Sequence, residues 1–186
     1  MSFNTIAINK QRQDLSGRDS VWLFGYGSLI FKADFPYLQR RPATIDGWLR
    51  RFWQGSHDHR GTPEHPGRVL TLIKSPGARC VGMAYQVAPE VFDHLDVREK
   101  NGYLRFTTPM LFTDGHHEEG LVYIASEDNA AYLGPASEQD IARQIAASRG
   151  PSGANRDYLL DLAEALRALG AEDPHVFALE RRLLAL

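Results

Sequence analysis

Cysteine is nearly absent. Cys80 is the one thiol in 186 residues, so no intramolecular disulfide can form and the chain suits a reducing compartment. An excess of charge of one sign is also missing. Lys and Arg number 21 against 23 Asp and Glu, a net charge of −2, which leaves no electrostatic footprint for nucleic acid or an anionic membrane surface. Long apolar runs are lacking too. The mainly apolar stretch near the N-terminus, Val21 to Phe31, has 11 residues and is broken by two glycines and a serine, whereas a membrane-spanning helix needs about 20 apolar residues. The first twenty residues carry no apolar run of the signal-peptide kind. No internal repeat and no low-complexity linker is visible. What is present is 43% hydrophobic and 24% charged, a globular composition that excludes disorder and fibrous repeats. The expectation is one cytoplasmic domain with neither nucleic acid nor membrane as partner.

Residues 1–20 are polar with little periodicity and read as a loose arm or a short docked segment ahead of a domain over 21–186. From Val21 the texture changes to the dense apolar run Val-Trp-Leu-Phe-Gly-Tyr, suited to a buried strand. Further strands are expected over Thr44–Gln54, Arg68–Ile73, Arg79–Val87, Tyr103–Thr113 and Gly120–Ala125, the last two joined by a turn at Thr113-Asp114-Gly115-His116. Helices come later. Pro89 opens one with Val91, Phe92 and Leu95 on a single face. Ser137, with Asp140 three residues on, forms a capping signal for a second that Gly150 can end. A third spans about Ala154–Leu169 on a stripe of Leu159, Leu162, Leu166 and Leu169, and Asp173-Pro174 starts a fourth. Strands first and helices last argue an α+β fold, with a mostly antiparallel, β-barrel-like sheet packed by C-terminal helices.

Five features are candidates for chemistry. Phe24-Gly25-Tyr26-Gly27-Ser28-Leu29 ends the first strand. Glycines that tolerate φ > 0 can turn the backbone there and present N–H groups to a carboxylate or oxyanion; a tight structural turn accounts for the same spacing. It is neither a P-loop, a dinucleotide fingerprint nor a nucleophile elbow. Second, Leu95 to Tyr103 packs charges where a helix gives way to an Asn-Gly reversal, setting Glu99 at or just beyond the helix C-terminus. The helix dipole there raises a carboxyl pKa, while Arg98 and Lys100 oppose it, so the net direction is open, and a solvated charge cluster is the plainer alternative. Third, His57, His59, His65, His116 and His117 fit no zinc frame, so no metal is expected. Fourth, Cys80, mid-strand, reads as a small buried hydrophobe. Fifth, Trp48 to Gln54 alternates apolar and basic residues and reads as a strand lining a pocket, with Arg60 in the loop beyond.

Taken together, these pieces resemble the ChaC-like γ-glutamylcyclotransferase family, and its glutathione-specific branch in particular. The match is carried by Phe24–Leu29, Arg50–Ser56, His59–Pro63, Pro66–Val69, Arg98–Tyr103, Tyr132–Pro135 and Gly150–Gly153, in order, over about Val21 to Leu186. The resemblance implies a compact barrel-like α+β fold with a pocket at one side. It also implies cleavage of glutathione to 5-oxoproline and Cys-Gly without cofactor or metal. Carried over by motif, Glu99 is the expected acid/base, and Leu23, Phe24, Gly25, Tyr26, Gly27, Ser28 and Leu29 the substrate-binding loop. Arg60 and Tyr123 are expected to line the site. Asn101 stands where glycine is common, and Ser56 where some relatives have an acidic residue.

That chemistry suits the residues. The substrate's own α-amine attacks its γ-glutamyl carbonyl, so no Ser or Cys nucleophile is needed, only orientation, a base and an oxyanion site. Arg60 or Arg51 can pair with the distal carboxylate. Two alternatives stand beside it: a cyclotransferase for other γ-glutamyl compounds, and a non-catalytic module that regulates a transport protein. Protein partners are not legible.

Overall fold

The computed structural model describes residues 4–186. Helix α1 (Ile6–Arg12) precedes strand β1 (Val21–Gly25) and the short helix α2 (Ser28–Phe31). Two long strands follow, β2 (Gln39–Ser56) and β3 (Gly67–Val87), then α3 (Val91–Arg98) and the hairpin β4 (Leu104–Phe112) and β5 (His117–Ile124). The C-terminal third holds α4 (Glu138–Ala147), the small ribbon β6 (Arg149–Gly150) and β7 (Gly153–Ala154), α5 (Asn155–Ala168) and α6 (Pro174–Leu184). Strands close into a barrel in the order β1-β3-β2-β4-β5. Every pairing is antiparallel except the closing contact of β1 with β5 at Leu23 and Leu121. The expected α+β class with C-terminal helices is the class observed.

Differences from expectation have local causes. The separate strands at 68–73 and 79–87 are one strand, β3, which runs through exposed Pro76 and Gly77. Gly77 has φ 83° and Gly47 opposite has φ 84°, and the register shifts between Asp46 and Trp48. Proline and glycine thus mark an irregularity in a two-stranded extension rather than a break. Helix α4 stops at Ala147, before Gly150. The start signals hold: Ser137 Oγ accepts from the Asp140 N–H at 3.1 Å, and Asp173 Oδ1 from the Val176 N–H at 3.1 Å. Residues 6–12 are a docked helix, with Asn9 fully buried.

Strand alternation divides β1 between two cores. Phe24 joins a cluster that fills the barrel and continues under α4, α5 and α6, including Leu159, Leu162 and Leu166. Val21 and Leu23 point the other way and meet Val91, Phe92 and Leu95 of α3. Each such side chain, fully buried, contributes about 1.5–3 kcal/mol. The loop after β1 therefore emerges at the seam between two packed bodies.

Candidate active site

Glu99 is the C-cap of α3, its N–H bonded to the Leu95 carbonyl at 2.8 Å. Three residues on, the chain reverses through Gly102, which has φ 95° and whose Cβ, were there one, would lie 2.6 Å from Asn129 Oδ1. A side chain there is excluded on both counts. The reversal turns the Glu99 carboxyl inward, and 16% of its side chain is exposed.

Two cavities meet at that carboxyl. The larger, about 160 Å³, is lined by Lys32, Asp34, Asp58, His59, Arg60 and Arg98 among others. The smaller, about 40 Å³, is lined by Phe24, Tyr26, Gly27, Leu29, Leu70 and Tyr123. Ser28, Glu99, Tyr103 and Tyr158 line both.

Burial pushes the Glu99 carboxyl above its usual range; Arg98 and His59 pull it down, and Asp58 and Asp34 push it up. The direction left open by the sequence is upward, because burial outweighs the cations. Arg98 is turned aside from a close pairing. Its Nε is 3.7 Å from Glu99 Oε1, while Nη1 binds Asp34 at 2.6 Å and the Lys32 carbonyl at 2.8 Å, and Nη2 binds Ser28 Oγ at 3.0 Å. His59 bridges the Arg98 carbonyl at 3.0 Å and Ser152 Oγ at 3.0 Å. A carbonyl only accepts, so Nε2 donates to it and Nδ1 can accept a hydrogen bond from the Ser152 hydroxyl.

The loop is pinned from three sides. Arg50, buried and ion-paired with Asp173 at 3.1 Å, donates from Nε to the Tyr26 carbonyl at 2.8 Å. The Tyr26 hydroxyl donates to the Tyr123 carbonyl at 2.5 Å, and that of Tyr85 to the Leu29 carbonyl at 2.6 Å. The expected use of positive φ at the loop glycines is corrected: neither Gly25 nor Gly27 adopts it. Both are needed for space. A Cβ on Gly25 would fall 2.8 Å from Leu29 Cβ, and one on Gly27 would fall 3.0 Å from the Tyr158 hydroxyl.

Of the expected site residues, Phe24, Tyr26, Gly27, Ser28, Leu29, Glu99, Arg60 and Tyr123 all line one or both cavities. Leu23 and Gly25 line neither; Leu23 is fully buried in the α3 core. Arg60 donates to the Ala154 carbonyl at 3.1 Å and lies 5.7 Å from the centre of the Tyr158 ring. Arg51 lines neither cavity; it donates to its neighbour's carbonyl at 2.6 Å and lies over Trp53. The cations that share the larger cavity with Arg60 are Lys32 and Arg98. Cys80 is core, with its thiol pushed up to about 11 by burial. Among the described residues no group of three or more His, Cys, Asp or Glu is placed to hold a metal ion.

Sequence reasoning missed Tyr158, Lys32 and Asp34, and gave Tyr103 and Ser152 no role. Tyr158 stands beside the leucine stripe of α5, and nothing in the spacing marks it. Lys32 and Asp34 follow a helix of four residues that no periodicity announces.

Comparisons with known proteins bear on the family and the fold. The family described as "ChaC-like protein" matches residues 21–185. A zebrafish (Danio rerio) relative, glutathione-specific gamma-glutamylcyclotransferase 1, is 44% identical over 187 residues, covering 95% of each chain. Gamma-glutamylcyclotransferase 2-3 of Arabidopsis thaliana is 48% identical over 174 residues, 84% of this chain and 85% of that one. The crystal structure of a gamma-glutamylcyclotransferase specific to glutathione from yeast superposes with a TM-score of 0.84 at 32% identity, covering 90% of this chain and 97% of the yeast one. Motif order, barrel topology and these relatives converge: the chain belongs to the ChaC-like family.

Proposed function

We propose that the protein is a glutathione-specific γ-glutamylcyclotransferase that releases 5-oxoproline and Cys-Gly, with Glu99 as its acid/base. The observation that carries this is the Glu99 carboxyl, largely shielded and raised in pKa, at the junction of the two cavities. The γ-glutamyl group fits toward the smaller cavity and the loop. The charged distal end fits the larger one, where Arg60 and Lys32 face its carboxylate. An α-amine, with a pKa of about 8, is mostly protonated near neutrality. Glu99 takes its proton, and the freed nitrogen attacks the γ-carbonyl carbon. As the tetrahedral intermediate collapses, the bond to the cysteine nitrogen breaks and Glu99 returns the proton to that leaving amine. The attacking nitrogen, which began as an ammonium with three protons and keeps one in the lactam, gives its other extra proton to the vacated carboxylate and on to solvent. One carboxyl serves both transfers, and a pKa raised toward the working pH suits a group that must accept and donate. Backbone N–H groups of Tyr26 to Leu29 receive the oxyanion. No cofactor is needed. No helix among the described residues is long and apolar enough to cross a membrane, and the reduced, near-neutral composition supports a cytoplasmic location.

The test is a substrate panel read as 5-oxoproline. Glutathione is expected to be turned over in preference to γ-glutamyl amino acids that lack a distal glycine carboxylate. Equal turnover of both would leave a general γ-glutamyl cyclotransferase.

A further inference from the structure

The family match begins at residue 21, yet residues 4–12 are bonded directly to the turn that carries Glu99. The Thr5 N–H donates to the Lys100 carbonyl at 2.9 Å, and its hydroxyl reaches the same oxygen at 3.2 Å and the Glu99 carbonyl at 3.5 Å. Asn4 makes a bridge with Asn101. Asn9 grips the next stretch with both ends of its buried amide: Nδ2 donates to the Tyr103 carbonyl at 2.9 Å, and Oδ1 accepts from the Arg105 N–H at 2.9 Å. Its own carbonyl accepts from the Arg105 guanidinium. Arg105 in turn lies 3.7 Å from Asp96, which accepts the Tyr123 hydroxyl at 2.6 Å.

We infer that the segment from Asn4 to Arg12 is a strap that positions the wall of the site from Glu99 to Arg105. The geometry is one-sided. Lys100, Tyr103 and Arg105 offer their backbone groups to the strap, while Glu99, Asn101 and Tyr103 face the larger cavity. Through Arg105 and Asp96 the same strap reaches Tyr123 on the smaller one. Polar bonds hold it down. Helix α1 has seven residues, too few to stand alone, and its Ile8 is 53% exposed. Its bonds to the stretch from Glu99 to Arg105 run from Thr5, Asn9 and Arg12, so its effect is on where that wall, and the carboxyl it carries, sits. Thr5 and Asn9 are positioning residues, and their effect on turnover rests on the cyclotransferase reading above.

The experiment uses the full chain with Thr5→Val, Thr5→Ser and Asn9→Ala. Turnover of glutathione, thermal melting and backbone amide exchange are measured on the same preparations. A displacement of about 1 Å from a distant change can cost on the order of 100-fold, so Asn9→Ala is expected to lower kcat about tenfold and Thr5→Val about threefold. KM stays within about twofold, because Arg60 and the loop are untouched, and Thr5→Ser keeps wild-type turnover. Exchange quickens at Gly102 and Arg105 and not in α5. If Asn9→Ala fails to fold, Thr5→Val against Thr5→Ser decides. Lower melting temperatures with wild-type kcat and unchanged exchange at Gly102 and Arg105 would overturn the strap. If the unaltered chain releases no 5-oxoproline, the cyclotransferase reading falls and exchange alone judges the strap: local quickening supports it, and none removes it.

Discussion

The two cavities that share Glu99 are built from different materials. Around the smaller one, side-chain hydroxyls hold backbone oxygens. Tyr26 donates to Tyr123, and Tyr103 donates to Leu70 at 2.5 Å. Burial raises the pKa of these phenols, so they stay neutral donors. Around the larger one, an ion pair does the holding, Arg98 with Asp34, beside the Asp58 carboxylate. Asp34 is 41% exposed, in contrast to Tyr26 at 7%. Buried neutral hydrogen bonds fix a shape, whereas exposed ion pairs contribute little rigidity and set a potential. On the proposed reading, the smaller cavity orients the reacting group and the larger admits and holds the charged one.

Breaking the boundary itself has the largest expected effect. Glu99→Gln keeps the side chain's size and its fit between the cavities but removes the base. General acid–base groups contribute about 100- to 10,000-fold, and one carboxyl here serves two transfers, so the upper end is expected for the fall in kcat. Circular dichroism should be unchanged. If Glu99 were only a helix-end charge, stability would move by about 0.5 kcal/mol or less and turnover not at all. A folded variant with wild-type turnover of glutathione refutes the mechanism.

Next comes the rigid side. Gly27→Val adds a branched side chain where even a Cβ would meet the Tyr158 hydroxyl at 3.0 Å and Leu70 Cδ1 at 3.4 Å. Tyr158, held by the Leu70 N–H at 3.3 Å, has little room to retreat. Loss of an oxyanion donor costs about 100-fold or more, and kcat is expected to fall by that order. Near-normal turnover would make the loop a structural turn only.

The charged side answers to pH instead. Asp34 pushes the Glu99 pKa up, and it also anchors Arg98, which pulls that pKa down. Asp34→Asn removes an anion and frees a cation, and both changes favour the ionised carboxylate. The Glu99 pKa should fall, so the acid limb of kcat/KM moves to lower pH, by about one unit or less at this exposure. A shift to higher pH, or none, would show that Glu99 does not set that limb.

How much of this was legible in the sequence follows the same division. The barrel class, the helix starts at Ser137 and Asp173 and the reversal at Asn101-Gly102 were readable because local chemistry fixes them. So was the placement of Glu99 at a helix end. The direction of its pKa was not, since it depends on burial between two bodies far apart in sequence. Gly61 belongs to a recognisable motif, yet its reason is three-dimensional: a Cβ there would lie 2.1 Å from the Gly67 nitrogen. A docked segment was one of the two readings of residues 1–20, but where it docks was not legible, because its bonds are polar and its partners lie about 95 residues away, beyond any periodicity.

The smallest expected effect belongs to Cys80, which touches neither cavity. Its side chain is 1% exposed in the barrel core and its thiol is pushed up to about 11. About one part in 10,000 is then thiolate near neutral pH, and the intramolecular route asks nothing of it. Cys80→Ser places a hydroxyl in an apolar wall, which costs roughly 1–3 kcal/mol if it finds no partner. The melting temperature should drop while kcat for glutathione stays within about twofold of wild type, since Cys80 lines neither cavity. Alkylation should fail on the folded chain and succeed after denaturation. A well-folded Cys80→Ser protein without turnover would demand a covalent intermediate on sulfur and would remove the role assigned to the substrate's own amine.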